Sequence, residues 1–489
     1  MSLIYNIKKT IKSFTPKFLF RFYHFSLAMF ANVIYGFPSH KMIVIGVTGT
    51  NGKTTTCNMI AKILEENGKE VGMMTTINFK IGGEEWVNTT KQGMQGRFKL
   101  QKYLRRMLDV KCEYVIVEST SQGIEQFRSF GIDYDICVFT NITPEHIEAH
   151  GGFDNYKKAK LKLFKQLESR KEKVINGKKI SKSIVANFDD KYVLDFINFN
   201  VDEIFGFNIV NTEVNNNFPI QNFINDPKYK FLIANNIKLE LGETDFEVEI
   251  KTKNDFKSQI LNSKFELKLT GLFNVYNSLA AASVALSLGF DLENIKNALS
   301  KIEQVNGRMQ LIKGNNGIFG FVDYAHDPNS VAGVYNNLLK IIKPENKLIA
   351  VIGSCGGGRD KVVRFDKGNA AGSFCNYVVV TNEDPYDDDP MKIIEDVFVG
   401  VINDVEDKNS DRVVDKIVRN LNNKKEENIN AFKILDRKEA IIKAVSLANP
   451  GDVIVCTGKG AEKGIAVKNG EILPWDEVEE LSNAINNKK

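Results

Sequence analysis

An apolar run, Met42-Ile43-Val44-Ile45-Gly46-Val47, leads directly into Thr48-Gly49-Thr50-Asn51-Gly52-Lys53-Thr54-Thr55-Thr56, and no other stretch constrains the fold of this chain as strongly. The run reads as a buried strand and the glycine-rich segment as a tight loop. The residues that follow read as a helix, with Met59, Ile60, Ile63 and Leu64 on one face and Gly68 as its stop. Gly49 and Gly52 allow the backbone to turn so that its N–H groups and the helix N-terminus face phosphate oxygens. Lys53 supplies a point charge for the β- and γ-phosphates, and the Thr54 hydroxyl suits Mg²⁺. The full phosphate-loop pattern would place its first glycine at position 47, which is Val; Gly49 serves instead in a shortened loop. The strand–loop–helix context predicts binding of a nucleoside triphosphate, with Thr50, Asn51 and Thr55 completing the cradle.

With 489 residues the chain has room for about three domains. Its 43% hydrophobic and 26% charged residues are those of an ordinary globular protein, and a net charge of +4 is too small at this length to argue for nucleic acid. The six cysteines lie far apart and form no C-x-x-C pair, so buried free thiols are expected, with neither a zinc site nor a disulfide framework. The first 41 residues differ from the rest: six cations (Lys8, Lys9, Lys12, Lys17, Arg21, Lys41), no acid, and many aromatics. Between Phe22 and His40 no charged residue occurs, but His24, Asn32, Gly36 and Pro38 interrupt a run already marginal for spanning a bilayer. Two readings stay open for this arm: a helix lying on an anionic membrane surface, or a helix packed on the domain that follows.

From residue 42 onward strand-like and helical patterns alternate, with strands at 42–47, 71–76, 114–118 and 134–140 and a helix over 94–108. That alternation predicts an α/β fold with a mostly parallel sheet. Short β-rich pieces at 183–186, 231–234, 246–250 and 265–269 read as strands completing a central domain, and helices follow at 277–288 and 292–302. A second α/β unit starts near Arg308, with strands at 317–323, 348–353, 377–381, 431–435 and 453–457 and a charged connector at 424–430. The domain boundaries are 1–41 for the arm, 42–306 for the central unit and 307–489 for the C-terminal unit.

Seven further motifs follow the phosphate loop in order. They are Glu118-Ser119-Thr120-Ser121-Gln122-Gly123, Thr140-Asn141-Ile142-Thr143-Pro144-Glu145-His146, Asn155-Tyr156-Lys157-Lys158-Ala159-Lys160, Gly271-Leu272-Phe273-Asn274-Val275-Tyr276-Asn277, Gly307-Arg308-Met309, Asp323-Tyr324-Ala325-His326 and Gly458-Lys459-Gly460. Together with the loop, this series resembles the Mur ligases of cell-wall peptide synthesis, over about residues 42–470. The nearest branch is the MurE type, which adds the third amino acid to UDP-N-acetylmuramoyl-dipeptide. The resemblance implies a P-loop ATPase domain followed by a Rossmann-like C-terminal domain, acting as a cytoplasmic monomer. It also implies ATP-dependent amide formation through an acyl phosphate, on a UDP-linked muramoyl peptide and a free amino acid.

On that resemblance, Glu118 at a strand end, His146 and Lys160 join Lys53 as catalytic residues. Thr54, Glu118, His146 and a carbamylated Lys160 would hold two Mg²⁺ ions. Asn141, Asn274, Asn277, Arg308 and Asp323 would contact ATP, the last two at the γ-phosphate and the ribose. Thr89, Thr90, Thr120, Gln126 and Arg128 match the contacts around the muramoyl unit. His326, Arg359, Gly458 and Glu462 fall to the incoming amino acid, and Arg359 can hold a carboxylate bidentately. Without the resemblance, Asn274, Asn277, Arg308 and Asp323 would read as cap, linker or surface residues, and His150 stays undecided.

Two departures from the family pattern matter. The uridine-binding N-terminal domain is missing and the basic arm stands in its place, which opens a lipid-linked acceptor as an alternative. Where diaminopimelate-adding members carry Asp-Asn-Pro-Arg, this chain has Glu383-Asp384-Pro385-Tyr386. The arginine that would clamp a distal carboxylate is absent, and the acidic run through Asp389 suits a cationic side chain such as lysine. The competing readings are a Mur-type ligase with another carboxylate acceptor, including a poly-amino acid, and a non-catalytic ATP-binding scaffold.

Overall fold

The computed structural model describes residues 17–90, 92–144, 150–210, 220–253, 263–358, 361–403 and 430–488. The chain forms two compact units. The first takes in Met1–Asn235, Glu247–Ser263 and Tyr276–Leu299; the second takes in Asn236–Phe246, Lys264–Val275 and Ser300–Lys489.

The N-terminal arm is a helix, α1 (Lys17–Tyr35), ended by Gly36 and Phe37 in the left-handed region just before Pro38. Its inner face packs on the first unit through buried Ala28, Ala31 and Asn32. Asn32 donates to the Ala28 carbonyl at 2.8 Å and to the Phe130 carbonyl at 2.9 Å, and the Phe25 ring meets Phe130 edge-on at 4.7 Å. Among the described residues, no helix is long and apolar enough to cross a membrane.

Then come β1 (Ile43–Thr48), α2 (Lys53–Glu66), β2 (Val71–Met74), β3 (Asn78–Ile81), β4 (Glu84–Val87), α3 (Arg97–Asp109), β5 (Tyr114–Glu118), α4 (Ser121–Glu125), β6 (Ile136–Phe139) and α5 (Phe153–Glu168). A small hairpin, β7 (Lys173–Ile175) and β8 (Lys178–Ile180), precedes β9 (Ser183–Asn187), α6 (Val193–Ile197), β10 (Glu203–Ile209), β11 (Tyr229–Glu240), β12 (Glu243–Lys251), β13 (Ser263–Leu267), α7 (Leu272–Ser287) and α8 (Leu292–Ser300). The sheet runs in the order β13-β12-β11-β10-β9-β6-β1-β5-β2-β3-β4. Pairing is parallel from β2 through β5, β1, β6, β9 and β10 to β11, and antiparallel in β2-β3-β4. β1 is sheathed on both faces, as its unbroken apolar sequence requires. Gly46 has no room for a side chain, since a Cβ there would sit 2.8 Å from the Tyr134 ring. The four leading strands stand where the hydrophobic runs predict them. The β3–β4 hairpin escapes that reading because each strand is only four residues long and Glu84 and Glu85 break the apolar pattern of β4, although Trp86 packs on the core.

The second unit adds β14 (Gln310–Lys313), β15 (Phe319–Asp323), α9 (Pro328–Leu339), β16 (Leu348–Ile352), α10 (Lys361–Phe374), β17 (Tyr377–Val380), α11 (Pro390–Ile402), β18 (Asn430–Lys433), α12 (Arg437–Leu447), β19 (Val453–Thr457), β20 (Gly464–Ala466), β21 (Ile472–Pro474) and α13 (Glu477–Asn487). Its main sheet has the order β14-β15-β19-β16-β17-β18, parallel except for β14. The connector at 424–430 lies outside the described residues except for Asn430.

A buried ion cluster ties the entry of β1 to that of β6. Lys173 Nζ donates to the carbonyls of Ser39 (2.9 Å), Met42 (2.9 Å) and Asp133 (2.6 Å) and to Asp135 Oδ2 at 2.6 Å. Asp135 Oδ2 also accepts the Val44 N–H at 2.8 Å, and Lys182 supplies a second cation at 3.3 Å. Burial lowers the pKa of Lys173, and the Asp135 carboxylate opposes it. Removing one member of such a cluster strands the others in a low-dielectric interior. Lys173→Met is therefore expected to destabilise the first unit by about 3 kcal/mol, read as a lower urea midpoint.

Candidate active site

The carboxyl ends of β1, β5 and β6 meet at one edge of the first unit's sheet, where an open parallel sheet presents its ligand groups. The register places Val47 opposite Glu118 on one side and opposite Val138 on the other. The loop leaving β1 is held in shape by the end of β6. The Thr50 N–H donates to the Asn141 carbonyl (2.8 Å), the Asn51 N–H to Asn141 Oδ1 (2.9 Å), and Thr140 Oγ1 to the Asn51 carbonyl (2.7 Å). Gly52 sits at φ 82°, and a Cβ there would fall 2.3 Å from Asn277 Oδ1. A Cβ on Gly49 would come within 1.9 Å of Thr140 Oγ1. Both glycines are thus demanded by close approach, and α2 starts immediately at Lys53.

Two ammonium groups converge on this loop. Lys53 Nζ donates to the carbonyls of Gly49 (3.1 Å) and Thr50 (2.6 Å), and Lys160, carried by α5 and 2% exposed, donates to the Gly49 carbonyl at 2.6 Å. Lys160 also stands 4.6 Å from the centre of the Tyr156 ring, whose hydroxyl is 3.0 Å from Thr50 Oγ1. Across the loop, Thr54 Oγ1 donates to Glu118 Oε2 at 2.9 Å, and Thr76 donates to both carboxylate oxygens, each at 2.8 Å. A concentration of positive charge thus faces a single fixed carboxylate, an arrangement suited to a polyphosphate and a hard cation. Thr54 and Glu118 offer two oxygen donors side by side, which fits Mg²⁺, an ion that takes few protein ligands and completes its shell with phosphates and water. Among the described residues, no group of three or more His, Cys, Asp or Glu could hold a metal. His146 lies outside the described residues.

The residues expected around the muramoyl unit gather beside this edge. Thr120 caps α4, accepting the Gly123 N–H at 3.2 Å, and its methyl leaves no space for a Cβ on Gly93. Arg128 donates to Gln126 Oε1 (2.8 Å), to Gln92 Oε1 (3.3 Å) and to the Met94 carbonyl, while Gln95 donates to Thr90 Oγ1 at 2.8 Å. Thr89 is exposed next to them. Two groups that motif reading left unassigned belong here. His150 Nε2 lies 3.1 Å from Ser121 Oγ at the start of α4, and Thr76 anchors Glu118. Thr75-Thr76 at the exit of β2 was the available signal for the second.

In the second unit, Asp323 at the end of β15 is buried and accepts the N–H groups of Met309 and Ala325, each at 2.7 Å. Burial raises its pKa and the neighbouring Arg308 pulls it back; the Arg308 guanidinium lies 4.8 Å from the Tyr324 ring centre. His326 folds back to the Tyr324 carbonyl at 3.1 Å. Asn274 donates to the Thr270 carbonyl at 2.9 Å, and Arg359 lies outside the described residues.

The acidic run does not present the open set of carboxylates that its sequence suggests. Glu383 is buried against Lys367 (3.2 Å) and the Cys355 thiol (3.0 Å), and a Cβ on Gly458 would collide with it at 2.4 Å. Asp384 pairs with Lys459 (2.9 Å), which also holds Glu462 at 2.7 Å, and Asp388 pairs with Arg364 (3.2 Å). Asp389 caps α11. Asp387 is exposed and accepts the Asn469 N–H at 3.0 Å. Tyr386 takes a left-handed backbone, φ 51°, between these residues. The lysine-matching charge expected of Glu383 and Asp384 is spent on internal cations, a pairing between residues up to 75 positions apart that the local sequence could not show.

The chain matches the Mur ligase middle domain over residues 47–285 and the Mur ligase glutamate ligase domain over 307–460. It is 32% identical over 468 residues to the UDP-N-acetylmuramyl-tripeptide synthetase of Roseiflexus sp. (strain RS-1), spanning 94% of this chain and 82% of that one. The chain belongs to the Mur ligase family. Its members are ATP-dependent amide-bond-forming enzymes of peptidoglycan synthesis, and this chain is one such ligase. The ligase is also 32% identical to the UDP-N-acetylmuramoyl-L-alanyl-D-glutamate–2,6-diaminopimelate ligase of Geobacillus thermodenitrificans (strain NG80-2), over 89% of this chain and 78% of the relative. A solved structure of a ligase of that same description superposes with a TM-score of 0.54 at 27% identity, covering 91% of this chain and 78% of that one.

Two outcomes are expected from this geometry. Glu118→Gln removes the carboxylate that Thr54 donates to at nearly constant shape, and acceptor-dependent phosphate release should fall on the order of 10²-fold, with circular dichroism unchanged. Glu383 should govern the acid stability of the second unit. Burial alone would raise its pKa, but Lys367, Cys355, Arg437 and Lys459 hold it at about 2, below its ordinary 4.5. A depressed acid stabilises the fold above its unfolded pKa and loses that contribution as pH falls toward the folded value. Stability measured by denaturant should therefore decline between about pH 5 and pH 2, and Glu383→Gln should flatten that decline.

Proposed function

We propose that the ligase joins an amino acid to UDP-N-acetylmuramoyl-L-alanyl-D-glutamate, activating the acceptor carboxylate as an acyl phosphate. The observation that carries this reading is the convergence of Lys53, Lys160, Thr54 and Glu118 on one glycine-rich loop, next to a cluster of Thr90, Thr120, Gln126 and Arg128. The loop N–H groups and Lys53 would hold the β- and γ-phosphates and neutralise charge as the γ-phosphoryl group moves to the carboxylate oxygen. Bound Mg²⁺ at Thr54 and Glu118 would screen the phosphate oxygens from the attacking carboxylate; His146 and a carbamate on Lys160 are proposed for a second ion. The amine of the incoming amino acid then attacks the acyl carbon and phosphate leaves, so one C–N bond forms and one C–O bond to phosphate breaks. Asn141, Asn277 and Asn274 are assigned to the nucleotide, Asp323 to its ribose and Arg308 to its γ-phosphate. The reaction would run in the cytoplasm, with the ligase as a monomer.

The incoming amino acid is assigned to the second unit, with Gly458 and Glu462 at its amine, Arg359 at a carboxylate, and His326 and Tyr386 as further contacts. Diaminopimelate is disfavoured because no arginine follows Pro385. Lysine stays the preferred side chain, with its recognition resting on Asp387, since Glu383 and Asp384 are neutralised by Lys367 and Lys459. The test is phosphate release with ATP, Mg²⁺ and the UDP-linked dipeptide against single amino acids, with products weighed by mass spectrometry. A mass gain with lysine, lost in Asp387→Asn, is the expected result. Silence across all amino acids with ATP still bound would transfer the reaction to another carboxylate acceptor.

A further inference from the structure

α1 is anchored on one side and bare on the other. Gly131 has no room for a Cβ against Asn32, so the inner face is closely fitted, and the helix is a fixed part of the first unit. Its outer side exposes Leu19, Phe22, Tyr23, Met29, Phe30, Val33 and Ile34, with Phe22 at 68% and Phe30 and Val33 at 58%. These positions lie on one side of the helix and form an apolar stripe about 22 Å long, broken near its middle by the exposed Ser26. Scattered surface apolars are ordinary, but a stripe of this kind marks a contact surface.

The neighbouring α3 says what the surface is built to meet. Phe98 touches Phe30, with ring centroids 6.1 Å apart, and continues the stripe. From Phe98, Lys102 and Arg105 follow at i+4 and i+7 on the same exposed face, with Lys99 beside them. Arg105 is paired with Asp109 and Arg106 with Glu84, whereas Lys99 and Lys102 form no ion pair among the described residues. Residues 1–41 carry six cations and no acid. We infer that the α1–α3 face of the first unit docks reversibly on an anionic lipid surface, with the α1 stripe entering the headgroup–acyl boundary and the α3 lysines on the lipid phosphates.

The chemistry favours this occupant over a second copy of the chain, because self-apposition would set the two rows of α3 cations against each other. The helix lies in the interface and does not cross it. An amphipathic helix with cations at the edge of its apolar face binds in that manner, with an affinity that depends on anionic lipid and on salt. Docking would hold the ligase, whatever its acceptor, at a membrane surface.

The experiment is co-sedimentation of the full chain with vesicles of phosphatidylglycerol mixed into phosphatidylcholine and with vesicles of phosphatidylcholine alone, at low and high salt. Light scattering on the free protein is run in parallel. The wild-type chain is expected to sediment with the anionic vesicles and to be released by salt. The triple variant Phe22→Ser/Phe30→Ser/Val33→Ser should lose retention. Lys99→Glu/Lys102→Glu should weaken it by about tenfold or more. Both variants should keep wild-type circular dichroism and ATP-dependent ligation, since none of these residues lies in the catalytic set. Failure of the wild-type chain to bind anionic vesicles, or equal retention of the charge-reversed variant, overturns the inference. A wild-type dimer that the triple variant converts to monomer, without vesicle binding, would assign the face to a second copy instead.

Discussion

Val47 and Glu118 stand side by side at the ends of β1 and β5, and Thr48 and Phe139 do the same at the ends of β1 and β6. The rest of the first unit's site hangs on that parallel register. It delivers the glycine loop, the Glu118 carboxylate and the Asn141 amide to one edge, where Thr140 and Asn141 brace the loop. A shift of one residue in β5 would turn Glu118 to the opposite face of the sheet and dissolve the Thr54–Glu118–Thr76 group. The register is in turn secured at the other ends of the strands by Asp135, which holds the Val44 N–H and the Lys173 ammonium at once. A buried charge cluster far from the chemistry thus keeps the catalytic edge in alignment.

The site combines opposite electrostatic demands within a short distance. Lys53 and Lys160 share the Gly49 carbonyl, which draws two cations to the loop proposed for the polyphosphate. Glu118 lies across from them, fixed by three hydrogen bonds from Thr54 and Thr76. A carboxylate held in place beforehand carries no reorganisation cost in the phosphoryl transfer proposed above. In the second unit the same economy appears in a different form. Glu383, Asp384 and Asp388 are bound to Lys367, Lys459 and Arg364, so the acidic run works chiefly as a structural brace around the strand ends.

Family membership and relatives locate the chemistry as ATP-dependent amide formation, while the choice of amino acid belongs to the proposal, which rests on the turn formed by Tyr386 at φ 51° and the exposed Asp387. The outward stripe of α1 adds a property unrelated to that chemistry, in that it bears on where the ligase works and not on what it joins.

The strand–loop–helix of the candidate phosphate loop was legible without coordinates because it is encoded locally: an apolar strand, two closely spaced glycines and the helix that starts at Lys53 are neighbours in the chain. The same holds for the order of strands and helices, since the apolar period is a short-range property. Distant partnerships were not legible. No pattern in the chain links Lys160 to Gly49, His150 to Ser121, or Asp384 to Lys459, because each depends on how separate elements pack. The acidic run shows the difference most plainly: its composition implied an open cation site, and only the tertiary structure supplied the buried lysines that neutralise it. The arm follows the same rule. Its sequence determined that it would be basic, apolar and helical in character; tertiary packing decided which face Asn32 and Phe25 would bury and therefore which face remains for another surface.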